Sequence, residues 1–260
     1  MMNIEAYLRR IEYDGPLEPS ARSLRDLQRQ HLYTVPFENL DIALGVPIRL
    51  DPEALFDKVV VRRRGGFCYE LNGLFRELLA ALRFHVEMLS ARVGRADGSF
   101  SPEFDHMLLQ VSLEEPWIAD VGFGDSSLDP VPMRHWPAQS YASPKYWTRP
   151  SEEAWELVRH KGSAIAPEYR FTEAPRRMSD FAQMCHFHQT SPESHFTQNQ
   201  VCSRALPNGR ITISGMRLIE TRDGERRESL LENEEQLQKC LAERFGIELG
   251  HDTDWSRLSR

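Results

Sequence analysis

The chain is poor in cysteine, with four in 260 residues. That is too sparse for a disulfide-stapled scaffold, so a reducing, cytoplasmic setting is the expectation. No apolar run approaches the roughly 18 residues that a membrane helix needs. The start, Met1-Met2-Asn3-Ile4-Glu5-Ala6-Tyr7-Leu8, has no basic stretch leading into an apolar core. Neither a membrane partner nor a signal peptide is expected. A surplus of positive charge is missing too. The formal net charge is −7, which argues against nucleic acid as a partner, because phosphate backbones are bound by basic surfaces. There are no internal repeats and no low-complexity tracts. What remains is 40% hydrophobic and 27% charged, the make-up of an ordinary globular chain long enough for a sizeable core.

Periodicity divides the chain. Residues 3–13 read as a short helix stopped by Asp14-Gly15-Pro16. Ser20 caps a second helix carrying Leu24, Leu27 and Leu32, and Pro36 ends it. Val35 to Ile42 is expected to be extended or irregular, because a residue before proline avoids helix. Asp51-Pro52-Glu53 opens a third helix. A fourth carries Leu71, Leu74, Phe75, Leu78, Leu79 and Leu82 at helical spacing. From residue 84 the pattern turns to strands, at 84–93, 104–113, 117–123, near 155–159 and 169–172, which suggests an antiparallel sheet or small barrel. Residues 125–150 hold five prolines and little periodicity, so long loops are expected there. A strand at 211–219, a partner around 226–231 and a helix from Asn233 to Gly246 complete the reading.

The richest stretch is Arg62-Arg63-Arg64-Gly65-Gly66-Phe67-Cys68-Tyr69-Glu70-Leu71-Asn72. Cys68 opens the fourth helix, where unpaired N–H groups and the positive end of the dipole favour thiolate, the nucleophilic form. A lone cysteine there also reads as a small buried core residue. A nucleophile needs a base, and the base an orienting group. His106 and Asp120 lie on one expected hairpin. A tight turn at Glu114-Glu115 sets His106 opposite about residue 123, and a longer turn slides it toward Asp120. Each also has an ordinary reading, as a half-exposed strand histidine and a strand-end aspartate. Asp105 is a poor orienter for His106, because strand neighbours point to opposite faces. Gly65-Gly66 is expected to let substrate approach the helix start, and the Arg62-Arg63-Arg64 run, which also reads as a solvated patch, to form at least one buried arginine–carboxylate pair, with Glu38 a candidate partner.

These residues resemble a family, the arylamine N-acetyltransferases. The likeness rests on Arg64-Gly65-Gly66-Phe67-Cys68-Tyr69-Glu70-Leu71-Asn72, Phe104-Asp105-His106-Met107 and Asp120-Val121-Gly122-Phe123-Gly124. Val35-Pro36-Phe37-Glu38-Asn39-Leu40 and Ser191-Pro192-Glu193-Ser194-His195-Phe196-Thr197 add to it. The resemblance implies an α+β fold: a helical bundle over 1–83 carrying the nucleophile, an antiparallel β-barrel over 84–188 carrying the histidine and aspartate, and an interdomain segment with an α/β lid over 189–260. It implies a Cys68–His106–Asp120 triad and a ping-pong reaction. Cys68 would take an acetyl group from acetyl-CoA as a thioester, then pass it to an arylamine, arylhydrazine or N-hydroxyarylamine. Phe37, Val93, Phe123 and Phe196 match positions that line the acceptor pocket, and Gly122 and Gly124 are expected beside the CoA. An amide synthase or a thiol hydrolase built on the same triad is the alternative.

Cys185-His186-Phe187-His188, with His195 and Cys202 beyond, superficially suggests a metal site. Its spacing matches no standard zinc pattern, so no metal is expected. Cys185, Cys202 and Cys240 read as incidental core thiols.

Overall fold

In the computed structural model, which describes residues 2–125, 127–134, 145–161 and 164–259, short polar side chains start the first helices. Asn3 accepts a hydrogen bond from the Ala6 N–H at 3.0 Å to open α1 (Ile4–Arg10). Ser20 does the same for α2 (Ala21–Thr34) from the Ser23 N–H at 3.1 Å. The extended stretch expected before Ile42 is shorter than its sequence suggests. It holds β1 (Phe37–Glu38), after which Leu40–Leu44 forms the short helix α3, closed by Gly45 at φ 71°. Asp51 and Pro52 open α4 (Pro52–Phe56), which runs into a π-helical turn, Asp57–Val61, that carries Lys58 inward. Helix α5 (Cys68–Ala81) then buries Leu71, Leu74, Phe75, Leu78 and Leu79 completely. Each such side chain contributes about 1.5–3 kcal/mol relative to exposure.

A seven-stranded antiparallel sheet follows, made of β2 (His85–Val93), β3 (His106–Ser112), β4 (Pro116–Ala119), β5 (Val131–Pro132), β6 (Tyr146–Ser151), β7 (Ala154–Lys161) and β8 (Ala164–Phe171). The strand order is β5-β4-β3-β2-β8-β7-β6. The sheet curls until its edges meet, where the β6 Thr148 hydroxyl donates to the Pro132 carbonyl of β5 at 3.0 Å. Leu89, Leu108, Leu157 and Phe171 fill the inside. Leu109, Val111 and Ala119 face outward onto α5. Strand β3 is therefore covered on both faces, and His106 is buried rather than half-exposed, since the face opposite Met107 points into the barrel. Strand β5 and most of β6 fall in the expected loop region 125–150, of which residues 126 and 135–144 lie outside the described residues.

Beyond the barrel come α6 (Ala182–Thr190), which runs across residue 188, and α7 (His195–Gln198). A five-stranded sheet is ordered β1-β9-β10-β11-β12, with β9 (Val201–Leu206), β10 (Gly209–Ser214), β11 (Arg217–Arg222) and β12 (Glu225–Leu230). The single strand expected at 211–219 is two strands. Gly215, at φ 56°, turns the chain between them. Strand β1 supplies the edge of this sheet, so the segment before the Cys68 helix is stitched to the C-terminal part of the chain. Helix α8 (Glu234–Cys240) packs Leu237 and Cys240 on Ile211, Ile213 and Leu218. The whole is an α+β architecture of helical bundle, nearly closed barrel and C-terminal sheet with helix.

Candidate active site

Cys68 is the first residue of α5 and is 3% exposed. The helix start is fixed from behind by an ion cluster. Glu70 accepts from the Phe67 N–H through Oε2 at 3.1 Å and from Lys58 Nζ through Oε1 at 2.7 Å. Lys58 Nζ also reaches Asp41 Oδ2 at 2.7 Å. Arg64 bridges Glu38 and Asp41, each at 2.8 Å, so of the three-arginine run it is Arg64 that forms the expected buried pair with Glu38. All five charged groups are buried. Burial works against the charges of Lys58 and Arg64, but Glu70, Glu38 and Asp41 outweigh it and hold both above their ordinary values. At Asp41 burial is likewise overcome, and Lys58 and Arg64 hold the carboxyl below its usual range. At Glu70 burial prevails over Lys58 and the carboxyl is raised.

The two glycines serve this packing and not the substrate approach expected from sequence. A Cβ on Gly65 would fall 1.9 Å from the Pro36 carbonyl oxygen, and one on Gly66 would fall 2.8 Å from Glu70. The Gly66 carbonyl accepts from the Glu38 N–H at 2.9 Å. Neither glycine lines the cavity in front of Cys68.

His106 and Asp120 come together as their hairpin allows. Leu109 pairs with Ala119 and Ser112 with Pro116. Pairing stops at Ala119, and Asp120 turns its carboxylate back, so that Oδ2 lies 2.8 Å from His106 Nε2. Both side chains are buried. Asp120 is held by more partners than the sequence reading named. Its Oδ1 accepts from Asn72 Nδ2 and from the Gly122 N–H, each at 2.9 Å. Asn72 also donates to the Met107 carbonyl at 2.7 Å and accepts from the Val121 N–H at 2.9 Å. Gln28, from α2, accepts the Asp120 N–H at 3.1 Å. Asn72 sits four residues after Cys68, one turn along the same helix face, a spacing that points to it in retrospect. Gln28 carries no local signal. The rings of Phe123 and Tyr169 close around His106 at 5.0 and 5.2 Å between centroids.

The Met107 N–H donates to the Cys68 sulfur, which places the thiol beside the residue that follows His106. Burial pushes the Cys68 thiol well up, more than this N–H pulls it down, and the charges of Asp105 and Asp120 add to the rise. The helix start alone therefore does not give a thiolate. A positive neighbour is required, and an imidazolium at His106 is the one the geometry offers. With Asp120 on Nε2, His106 has Nδ1 left to receive a proton.

Cys68 and His106 line a cavity of about 1390 Å³ between the barrel, α6, α7 and the C-terminal sheet. Phe37, Val93, Phe123 and Phe196 all line it, as do Gly122 and Gly124. Gly124 has φ +82°, a backbone shape that other residues resist, whereas Gly122 is small because the Cys68 Cα would be 2.7 Å from a Cβ there. Basic groups gather elsewhere along the cavity, where Asp125 bridges Arg159 and Arg210 at 3.0 and 3.3 Å. The cysteine and histidine run around Cys185 is engaged within the protein. Gln189 Nε2 approaches the Cys185 sulfur at 3.3 Å, His195 Nδ1 contacts Asn199 at 3.2 Å, and His188 lies against Asp105 and Ser194.

A buried thiol, an imidazole and a carboxylate so disposed, opening on an apolar cavity, are the equipment of a thiol-dependent acyl-transfer or hydrolysis enzyme. Residues 20–253 match the family model described as N-acetyltransferase. The chain is 34% identical over 256 residues to the arylamine N-acetyltransferase of Mycolicibacterium smegmatis, covering 96% of this chain and 93% of that protein. Its fold matches the solved arylamine N-acetyltransferase of M. tuberculosis with a TM-score of 0.90 at 31% identity, over 99% of this chain and 100% of that one. It matches Mycobacterium marinum arylamine N-acetyltransferase in complex with CoA with a TM-score of 0.89 at 32% identity, over 99% and 97% of the two chains. The chain belongs to the arylamine N-acetyltransferase family, and it is an acyltransferase.

Proposed function

We infer that this protein transfers an acetyl group from acetyl-CoA to an aromatic amine, hydrazine or hydroxylamine in two half-reactions through a thioester on Cys68. The observation that carries the reading is the His106 Nε2 to Asp120 Oδ2 contact of 2.8 Å, in the same cavity wall as Cys68. In the first half-reaction Nδ1 of His106 already holds the thiol proton, and the Cys68 thiolate so formed attacks the acetyl carbonyl of the donor. Asp120 fixes the imidazole tautomer and stabilises the imidazolium. The oxyanion is held by backbone N–H groups, that of Cys68 first among them. Collapse of the tetrahedral adduct breaks the carbon–sulfur bond to CoA, and His106 returns the proton to the departing thiolate. Exchange of one thioester for another is nearly isoenergetic, so neither direction needs a further energy source.

In the second half-reaction an arylamine, neutral at pH 7, attacks the acetyl-Cys68 carbonyl. His106 takes the amine proton and delivers it to sulfur. Phe37, Phe123 and Phe196 offer ring faces to a flat acceptor, and Val93 completes an apolar wall. The loop holding Gly122 and Gly124 lines the cavity beside Cys68, where a donor would meet it. The cavity exceeds the usual range of about 300–1,000 Å³ for a drug-sized ligand, which suits a donor as long as CoA. The CoA complex of the M. marinum relative supports that donor.

Intact-protein mass spectrometry tests the reading. Acetyl-CoA alone should add one acetyl group, Cys68→Ala should remain unlabelled, and an arylamine should discharge the label. Rapid loss of the label to water without an amine would favour a thiol hydrolase. A His106→Ala variant that acetylates at the wild-type rate would remove His106 from the mechanism.

A further inference from the structure

A second histidine–carboxylate pair faces the same cavity and has no part in the steps above. Asp105 precedes His106 and points the other way, toward α6, where its Oδ1 lies 3.2 Å from His188 Nε2. His188 Nδ1 lies 3.1 Å from the Ser194 hydroxyl, and the Phe196 ring packs edge-on against the imidazole at 5.1 Å. His188 is 5% exposed, yet its Nε2 makes no aligned hydrogen bond among the described residues, because Asp105 stands out of line for one. A buried nitrogen left in that state is costly unless something else meets it. Asp105 is half-buried and keeps part of its carboxylate open to the cavity, where it is joined by Cys68, Phe37 and Phe196.

We propose that Asp105, positioned by His188, selects the acceptor, favouring aromatic amines that carry a second, cationic or hydrogen-bond-donating group. This rests on the acetyl-transfer reading and names its substrate class more closely. A carboxylate only accepts hydrogen bonds, so a ligand group facing it must donate. Asp105 is ionised at neutral pH. Burial pushes it up, but the neighbouring His188 and Ser101 side chains outweigh that and hold it below its ordinary range. Asp105 lines the cavity together with Cys68, Phe37 and Phe196, so an acceptor seated there to attack acetyl-Cys68 shares the space that Asp105 faces. A purely structural tie between β3 and α6 would need neither the misaligned Nε2 nor the opening to the cavity. Arg95 also lines the cavity and would draw an anionic acceptor instead.

Three isosteric acceptors read this out, each as its meta and para isomer: (dimethylaminomethyl)aniline, which is cationic at pH 7, isobutylaniline, which is neutral, and aminophenylacetate, which is anionic. In a ping-pong reaction kcat/KM for the acceptor reports only the second half-reaction, so ratios between acceptors are free of effects on Cys68 acetylation. The wild type should prefer the cation over the neutral isostere by about tenfold or more for at least one isomer, as a partly buried charge pair predicts. Asp105→Asn should bring that ratio within about twofold of unity and raise the relative rate of the anion. Equal rates for cation and isostere in the wild type overturn the proposal without any variant. So do a preference for the carboxylate and a ratio that Asp105→Asn leaves unchanged. Failure of Cys68 to take an acetyl group from acetyl-CoA is a separate result. It sinks the acetyl-transfer reading and the acceptor proposal with it.

Discussion

Replacing Asn72 by Leu keeps the shape of the side chain, excludes water and removes every hydrogen bond it makes. Three groups lose a partner: the Met107 carbonyl, the Val121 N–H and Asp120 Oδ1. The buried Val121 N–H becomes an orphan donor, costing about 1–3 kcal/mol, and the Met107 carbonyl loses a bond worth about 1 kcal/mol. Asp120 keeps its Gly122 and His106 contacts but loses a charge-assisted bond worth about 1.5–3 kcal/mol. Together the loss is about 3.5–7 kcal/mol, which for a chain of this size lowers the melting temperature on the order of 10–25 °C. The chemical effect is separable. With Asn72 gone, Asp120 is no longer pinned to the Cys68 helix, and misplacement of a catalytic group by an ångström costs on the order of 100-fold in rate. Calorimetry gives the first quantity. Rapid-quench acetylation by acetyl-CoA, followed by intact mass well below the melting point, gives the second. A variant that melts within about 1 kcal/mol of wild type and acetylates at the wild-type rate would refute the placement of Asn72 as the brace between helix and aspartate.

Lys58→Met leaves Glu38, Asp41 and Glu70 facing Arg64 alone in a buried site, and should cost about 3–5 kcal/mol in urea unfolding at pH 7. An unchanged midpoint would show that the cluster is dispensable. Gly122→Ala would put a methyl 2.7 Å from the Cys68 Cα and 2.8 Å from Asn72 Nδ2, with backbone on one side and a braced amide on the other. We expect a loss of about 1–3 kcal/mol and at least tenfold slower acetylation, checked on one preparation by melting and single-turnover kinetics. Because burial raises the Cys68 thiol, His106→Gln should move the pH midpoint for iodoacetamide alkylation above the roughly 8.5 of a free cysteine, whereas wild type should react near neutral pH. Coincident pH profiles for the two proteins would remove His106 as the source of the thiolate.

The parts of the fold legible in the sequence are those where local pattern and tertiary environment agree. Leu71, Leu74, Phe75, Leu78 and Leu79 repeat at helical spacing because one face of α5 meets the outer face of β3, and all five are fully buried. His106 could be set apart from Met107 and Leu109 by alternation; a hairpin of few possible registers brought it within a few residues of Asp120, and the family resemblance named the pair. What alternation could not say was that β3 is covered on both sides, so a half-exposed histidine was as good a reading until the barrel closed over it. Strand β9 was missed although it forms a local hairpin with β10 across Pro207-Asn208; its link to β1, more than 160 positions earlier, is the part without a local signal. Helix α3 was hidden by Pro36, whose influence ends at the residue before it. Asp105 and His188 were both noticed and set aside, one as a poor orienter for His106, the other as part of a false metal pattern. Their contact joins a strand to a helix 83 positions on and has no signature in either neighbourhood.

Burial bears differently on the two routes by which Cys68 could become a thiolate. Releasing the proton to water would leave a second negative charge in a site that already holds Asp120, with Asp105 close by, and the low polarity around the sulfur opposes it. Passing the proton to Nδ1 of His106 changes no net charge. The site holds one negative unit before the transfer, on Asp120. Afterwards it holds that unit plus an imidazolium and a thiolate that cancel. The imidazolium then has the Asp120 carboxylate on Nε2 and the thiolate as a neighbour in the same cavity, with the Met107 N–H close to the sulfur. The same burial that raises the thiol strengthens those attractions, because fewer water dipoles screen them. A deeply buried cysteine and an active one are therefore compatible only where a histidine braced by a carboxylate shares the site. Asn72, Gln28 and the Gly122 N–H hold that carboxylate in place.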